Sequence, residues 1–160
     1  MDDLGYTPTT LGVEDARKKT VVVSSQIFDM IGIKEAETTK PGAGVSPCEE
    51  DPEHLFSSRH PWSLYGVSDE RLTEGFARLK ENLPKYGWKI VEYGPNNSPA
   101  KTLELTADSE KEHYSVNAEL RVATDPAQNH PSATRKSSIQ VRVVSGCFRA
   151  PEGTDLNGIY

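Results

Sequence analysis

Two hydrophobic periods run through this chain. Leu72, Phe76, Leu79 and Leu83 recur at steps of four, three and four, the spacing of one face of an α-helix. Ser68 offers an N-cap oxygen, Asp69 and Glu70 oppose the dipole in the first turn, and Pro84 and Gly87 stop the pattern, so a helix is predicted from Asp69 to about Tyr86. Gly75 sits inside it at about 1 kcal/mol below alanine in helix propensity, which suggests that another backbone approaches there. The second period is two. Tyr114, Val116, Ala118, Leu120 and Val122 alternate with His113, Ser115, Asn117, Glu119 and Arg121, the signature of a strand with one buried face.

Weaker copies of both periods complete the plan. Ala16, Thr20, Val23, Ile27 and Met30 share one helical face between Val13 and Gly32, although Val21-Val22-Val23 has strand propensity. Gly32 is a natural residue to end that helix. Trp62 to Val67 reads as a strand with Pro61 at its first position or at a sheet edge. Trp88 to Tyr93, Thr102 to Ala107 and Ser138 to Val143 follow as strands, with turn chemistry at 94–98 and 108–111. Pro41, Gly42, Gly44 and Pro47 make Thr38 to Cys48 a loop, and Pro126, Asn129 and Pro131 make 124–135 another.

Single-face alternation requires a cover on one side only. The expected fold is therefore α+β: a two-layer domain in which an antiparallel meander sheet of four to five strands carries one or two helices on one face. Residues 1–12 read as a flexible arm, 13–148 as a single domain and 149–160 as a tail. A chain of 160 residues is long enough to bury a substantial core.

A net charge of −6 and an isoelectric point near 5.2 exclude the basic stripe of a nucleic-acid surface and disfavour docking on anionic lipid. No run approaches the roughly 18 apolar residues of a membrane span, and no charged and apolar leader is present. Met1 followed by Asp2, Asp3, Leu4 and Gly5 reads equally as a start placed after a removed leader.

Cys48 and Cys147 are the two cysteines. In a cytosolic protein two distant cysteines are usually buried thiols. Here the count is even, no C-x-x-C pair occurs, and both lie at loop edges, in Ser46-Pro47-Cys48 and Ser145-Gly146-Cys147. The favoured reading is one disulfide and an extracytoplasmic protein.

Three segments, Trp62-Ser63-Leu64-Tyr65-Gly66-Val67, Leu83-Pro84-Lys85-Tyr86-Gly87-Trp88 and Val144-Ser145-Gly146-Cys147-Phe148-Arg149, together with Cys48, resemble a group of small actinobacterial cell-envelope proteins. The likeness runs from about residue 13 onward. It implies export, a Cys48–Cys147 bridge and attachment to the outer face of the membrane as a lipoprotein. That group has no established activity, so it implies no catalytic residues. The lipid-carrying cysteine and leader of the group are not found in this chain.

Candidate chemistry is sparse. None of His54, His60, His113 and His130 has the spacing of a zinc-binding helix. His54 and His60 beside Glu49, Glu50, Asp51 and Glu53 form one cluster, read as a solvated acidic loop, with a weak divalent-cation site or a hydrolytic centre as alternatives. No G-x-S-x-G, phosphate-binding loop or dinucleotide fingerprint occurs. The polar side of the sheet, with Glu104, Asn117, Glu119, Arg121, Gln140 and Arg142, is the candidate binding face. Its plain alternative is an ordinary solvated face with cross-strand ion pairs. Trp62, Tyr65, Tyr86, Trp88 and Tyr93 are expected to seal the rim of the core with their polar tips wet. An exposed aromatic patch is the alternative.

The resulting expectation is a monomeric, non-enzymatic binding or interaction protein of the cell envelope. It uses no cofactor or metal, does not bind nucleic acid, and meets the membrane only through a lipid anchor outside this chain. Its partner is a protein or polar ligand. A small-ligand or glycan binder, using a helix–sheet pocket or the polar face, is the alternative, with an unrecognised hydrolase third.

Overall fold

In the structure, a computed structural model that describes residues 6–39, 42–97, 101–109, 111–122 and 137–157, both periods appear where the sequence puts them. Helix α1 spans Val13–Ile31, and α2 spans Asp69–Asn82, followed by a 3-10 turn over Leu83–Tyr86. The described strands are β1 (Glu37–Thr38), β2 (Gly44–Pro47), β3 (Leu55–Tyr65), β4 (Lys89–Pro95), β5 (Leu103–Ser109), β6 (Tyr114–Arg121), β7 (Ser138–Ser145) and β8 (Phe148–Arg149). The domain is α+β with an open antiparallel sheet. The sheet has eight strands among the described residues rather than four to five.

The meander expectation holds for β4-β5-β6-β7, each paired with the next. β3 departs from it: it lies beside β7, the far edge from β4, and α2 crosses between them. β3 also carries more neighbours than any other strand. β7 and β8 pair along one edge, and β1 and β2 along the other, because Tyr65, Arg59 and Phe56 each have partners on both sides.

On the outer edge, β2 reaches Arg59 and β1 begins at Leu64, so residues 60–63 lie in a gap between them. The Ser63 N–H and C=O face that edge, toward Thr39. By the two-residue alternation of a strand, the backbone of Pro61 faces it too. A proline inside a strand is tolerated here because its missing N–H falls in the gap.

The inner face carries the core. All five residues chosen for α1 are buried, as are Leu72, Phe76, Leu79 and Leu83 from α2 and the turn after it. They cover Leu105, Val116, Ala118, Ile139, Val141 and Val143 of the sheet. Gly32 ends α1 in the left-handed region at φ 72°. Arg78 and Asn82 of α2 then donate to the carbonyls of Ile31 and Met30, at 2.8 and 3.0 Å.

Gly75 is tight for a reason other than backbone approach. A Cβ there would stand 2.5 Å from Ile33 Cδ1 and 2.8 Å from Ile31 Cγ2, and both isoleucines are fully buried.

Residues 6–12 are docked, not a free arm. The Tyr6 ring stacks on His113 at 4.0 Å, its hydroxyl accepts from the Cys147 N–H at 2.8 Å, and Arg149 bonds to Thr9 and Leu11. The tail is packed in part: Ala150 N–H donates to the His54 carbonyl, and Leu156 is buried. The 124–135 loop lies outside the described residues, apart from which Val122 is exposed. At the far edge, β4 shifts register between Ile90 and Glu92.

Cys48 and Cys147 form the disulfide, with Cα atoms 6.3 Å apart and a sequence separation of 99. Cys48 follows β2 and Cys147 lies between β7 and β8, so the bridge ties together the chain on the two sides of β3. A loop of that length removes about 4–5 kcal/mol of unfolded-chain entropy.

Two outcomes are expected. Reduction, or the C48S/C147S double substitution, lowers unfolding free energy by about 2–5 kcal/mol in urea titration, with intact mass verifying the thiol state. Gly75→Ala, which an isolated helix would favour by about 1 kcal/mol, instead destabilises the domain by about 1–3 kcal/mol through overpacking.

Candidate functional site

The polar face is built by the outward alternation of β5, β6, β7 and β3. Asn117, Glu119, Arg121, Gln140 and Arg142 line one shallow hollow of about 180 Å³. Glu104 stands outside it and holds Asn117. Most of these groups are already satisfied by one another. The Asn117 amide donates to Glu104 at 2.7 Å and to Thr106 at 3.0 Å, and Asn96 donates to Glu104 at 3.1 Å. Gln140 accepts from Ser63 at 2.8 Å and donates to Ser138 at 2.9 Å.

The expected cross-strand ion pairs take another form. Arg121 meets Glu119 two residues along the same strand, at 3.4 Å. The positions opposite Glu119 are Glu104 and Gln140, while Arg142 stands opposite Asn117 and Pro61 and is exposed.

The two histidines of the acidic cluster are separated. His54 is exposed in the turn before β3, with Nδ1 3.0 Å from both carboxylate oxygens of Asp51; this hydrogen bond holds the Asp51 carboxyl below its usual range. His60 points the other way, into the domain, with Nδ1 2.7 Å from Ser24 Oγ of α1. Glu50 approaches Cys147 Sγ at 3.9 Å, where both sulfurs are committed to the bridge.

His60 leads to a feature that patterning along the sequence does not reveal. The inward row of β3 reads Phe56, Ser58, His60, Trp62 and Leu64, all buried. Between this row and α1 lies a cleft of about 460 Å³, with Phe28 and Trp62 as its aromatic walls and Ser24, Ser25, Thr38 and His60 as its polar ones. The volume is in the range of small-molecule sites. The Phe28 and Trp62 rings meet at 57° with centroids 6.3 Å apart.

Trp62 is 6% exposed, and its Nε1–H has no hydrogen-bond partner among the described residues. A buried donor left unpaired costs about 1–3 kcal/mol. The expectation of a wet polar tip therefore fails at Trp62, because the ring is on the inward row beneath α1 rather than at the rim. Trp88 is likewise buried, whereas Tyr86 and Tyr93 are exposed. Lys80 Nζ sits 4.1 Å from the Tyr93 ring centroid.

A second hollow, of about 540 Å³, opens on the other side of α1 between Met30, Trp88, Lys111 and Tyr114. The Tyr114 hydroxyl lies 3.2 Å from Thr20 Oγ, whose own proton goes to the Ala16 carbonyl at 2.9 Å. Burial pushes the Tyr114 pKa up, against its hydrogen bond with Thr20, which lowers it. Because the folded value exceeds the unfolded one, the contribution to stability is full below about pH 10 and is lost as pH rises through the folded value. Tyrosinate absorbance is expected to show one tyrosine titrating after the rest, and Tyr114→Phe to remove that late phase. Compared with known proteins, the chain matches no family model, no curated protein and no solved structure.

Proposed function

We propose that this chain is a non-enzymatic binding module that works outside the cytoplasm and takes a small ligand in the cleft between α1 and β3. The observation that carries the reading is the cleft itself, which mixes the aromatic surface of Phe28 and Trp62 with hydroxyl groups and borders a tryptophan whose Nε1–H is buried without a partner among the described residues. Binding sites of small molecules have this composition: mostly apolar walls with a few polar groups that fix orientation. A ligand that draws the Trp62 ring outward and accepts from its Nε1–H would relieve the desolvation penalty of the free protein, and that penalty would become binding energy.

The compartment rests on chemistry. A long-range disulfide persists where the surroundings are oxidising, and the Cys48–Cys147 bridge is compatible with that. The likeness of 62–67, 83–88 and 144–149 to actinobacterial envelope proteins supports the same setting, with attachment to the outer membrane face by a lipid. Among the described residues no helix is long and apolar enough to cross a membrane.

A second reading uses the polar face for a glycan or a protein partner. It is favoured by the hollow around Asn117 and Gln140 and by the exposed Arg142 at its rim. Trp62 lines both hollows; the cleft is the stronger candidate because it is the larger, about 460 against 180 Å³, and the polar groups beside the smaller one already satisfy one another.

The test is a titration with acetanilide, a neutral aromatic amide, followed through the indole N–H resonances of the two tryptophans. Acetanilide is expected to move the Trp62 signal saturably, to leave Trp88 in place, and to lose its effect in Ser25→Trp, which fills the cleft mouth. A Trp62 signal that stays fixed at millimolar acetanilide, or that moves only together with Trp88, overturns the assignment.

A further inference from the structure

We propose that the cleft between α1 and β3 selects amphipathic cations: small molecules with an apolar body, an acceptor oxygen and a protonated amine. The inference rests on the reading of the cleft as a ligand site and adds the charge of what it takes.

Three observations converge on it. First, the charged lining of the cleft is one acid, beside hydroxyl groups and the His60 ring. Asp29 stands at its rim, exposed, and no lysine or arginine is among the described lining residues. A carboxylate or phosphate ligand would meet Asp29 as a like charge, whereas an ammonium group forms a charge-assisted bond with it.

Second, Asp29 is placed against the local field. It belongs to the last turn of α1, which contains no basic residue, and the C-terminal end of a helix carries partial negative charge. Arg78 and Asn82 of α2 donate to the carbonyls of Met30, Ile31 and Gly32. Among the described residues no ion pair joins Asp29 to a cationic side chain. An amine bound beside Asp29 would offset both the carboxylate and the helix end.

Third, the aromatic corner of Phe28 and Trp62 suits an apolar ring or the methylenes next to an ammonium group, and indole is the best ring for cation–π attraction. Trp62 Nε1–H is buried without a partner among the described residues beside that corner, so an outward shift of the ring on binding would offer it a carbonyl, ether or hydroxyl oxygen of the ligand. The net charge of −6 steers cations toward the molecule as a whole.

Three probes of one skeleton and different charge test this: L-phenylalaninamide, a cation; N-acetyl-L-phenylalaninamide, neutral; and N-acetyl-L-phenylalanine, an anion. Each is titrated into the oxidised full chain while the Trp62 indole resonance is followed, with circular dichroism to verify the fold of variants. The cation is expected to bind about tenfold tighter than the neutral amide, the size of one charge-assisted bond, and the anion weakest. Asp29→Asn is expected to erase the difference between the cation and the neutral amide.

If all three probes move Trp62 with equal affinity, or the anion leads, the charge selectivity is overturned while the cleft stands as a binding site. If the cation leads equally in Asp29→Asn, the assignment to Asp29 is overturned. If none of the three moves the Trp62 signal, both this inference and the cleft reading fall together.

Discussion

β3 is the constraint on which the rest of this domain depends. Its two edges hold β1 and β2 on one side and β7 and β8 on the other. A strand so placed cannot shift register by one residue without turning its inward row outward. That fixes Ser58, His60 and Trp62 beneath α1 whatever their polarity. The row is supported in part: Ser145 Oγ takes the backbone N–H of Ser58 at 2.8 Å, and the Ser24 hydroxyl meets the His60 ring. Burial of polar groups is cheap when hydrogen bonds are supplied. Among the described residues, Ser58 Oγ and Trp62 Nε1 are the side-chain atoms of that row left buried without a partner.

The contrast between the two sides of β3 locates the candidate site. Outward-facing groups on β5, β6 and β7 close their hydrogen bonds laterally, as a solvated sheet face does when side chains of matching length stand opposite one another. Among the described residues, the inward cleft borders one donor without a partner and one acid without an ion pair. Both hollows border residues 60–63, the stretch of outer edge that β1 and β2 leave uncovered. The gap that admits Pro61 is thus also what opens the sheet beside α1.

The sequence exposes the parts of this fold that follow one rule at a time. α2 and the turn after it are readable because Leu72, Phe76, Leu79 and Leu83 meet only core, and β6 because Tyr114, Val116, Ala118 and Leu120 alternate without interruption. The first half of β3 is hidden because Ser57, Ser58, Arg59 and His60 show no apolar alternation, and because Pro61 mimics a boundary. β1 and β2 are concealed by the turn chemistry of Gly42, Gly44 and Pro47 and by their short length. The cleft was unreadable for the same reason as β3: a serine and a histidine on a core row resemble surface residues until α1 is laid over them. The one signal available was Ser24, adjacent in sequence to Val23 on the buried face of α1, where a second polar residue beside Thr20 asks for a partner across the interface. The docking of Tyr6 on His113 depends on a contact between distant segments, which no local period encodes.

The separation of 99 residues between the bridged cysteines sets a timetable for a chain made from its N-terminus. At synthesis rates of about 5–20 residues per second, Cys48 is present for roughly 5–20 s before its partner exists. During that interval β3 has neither β7 nor β8 to pair with, and the inward row cannot close. Two cysteines permit a single intramolecular pairing, so no reshuffling among wrong internal bridges can follow. A Cys48 that reached an oxidising compartment before Cys147 would have only other molecules to pair with, as a mixed disulfide or a cross-linked dimer.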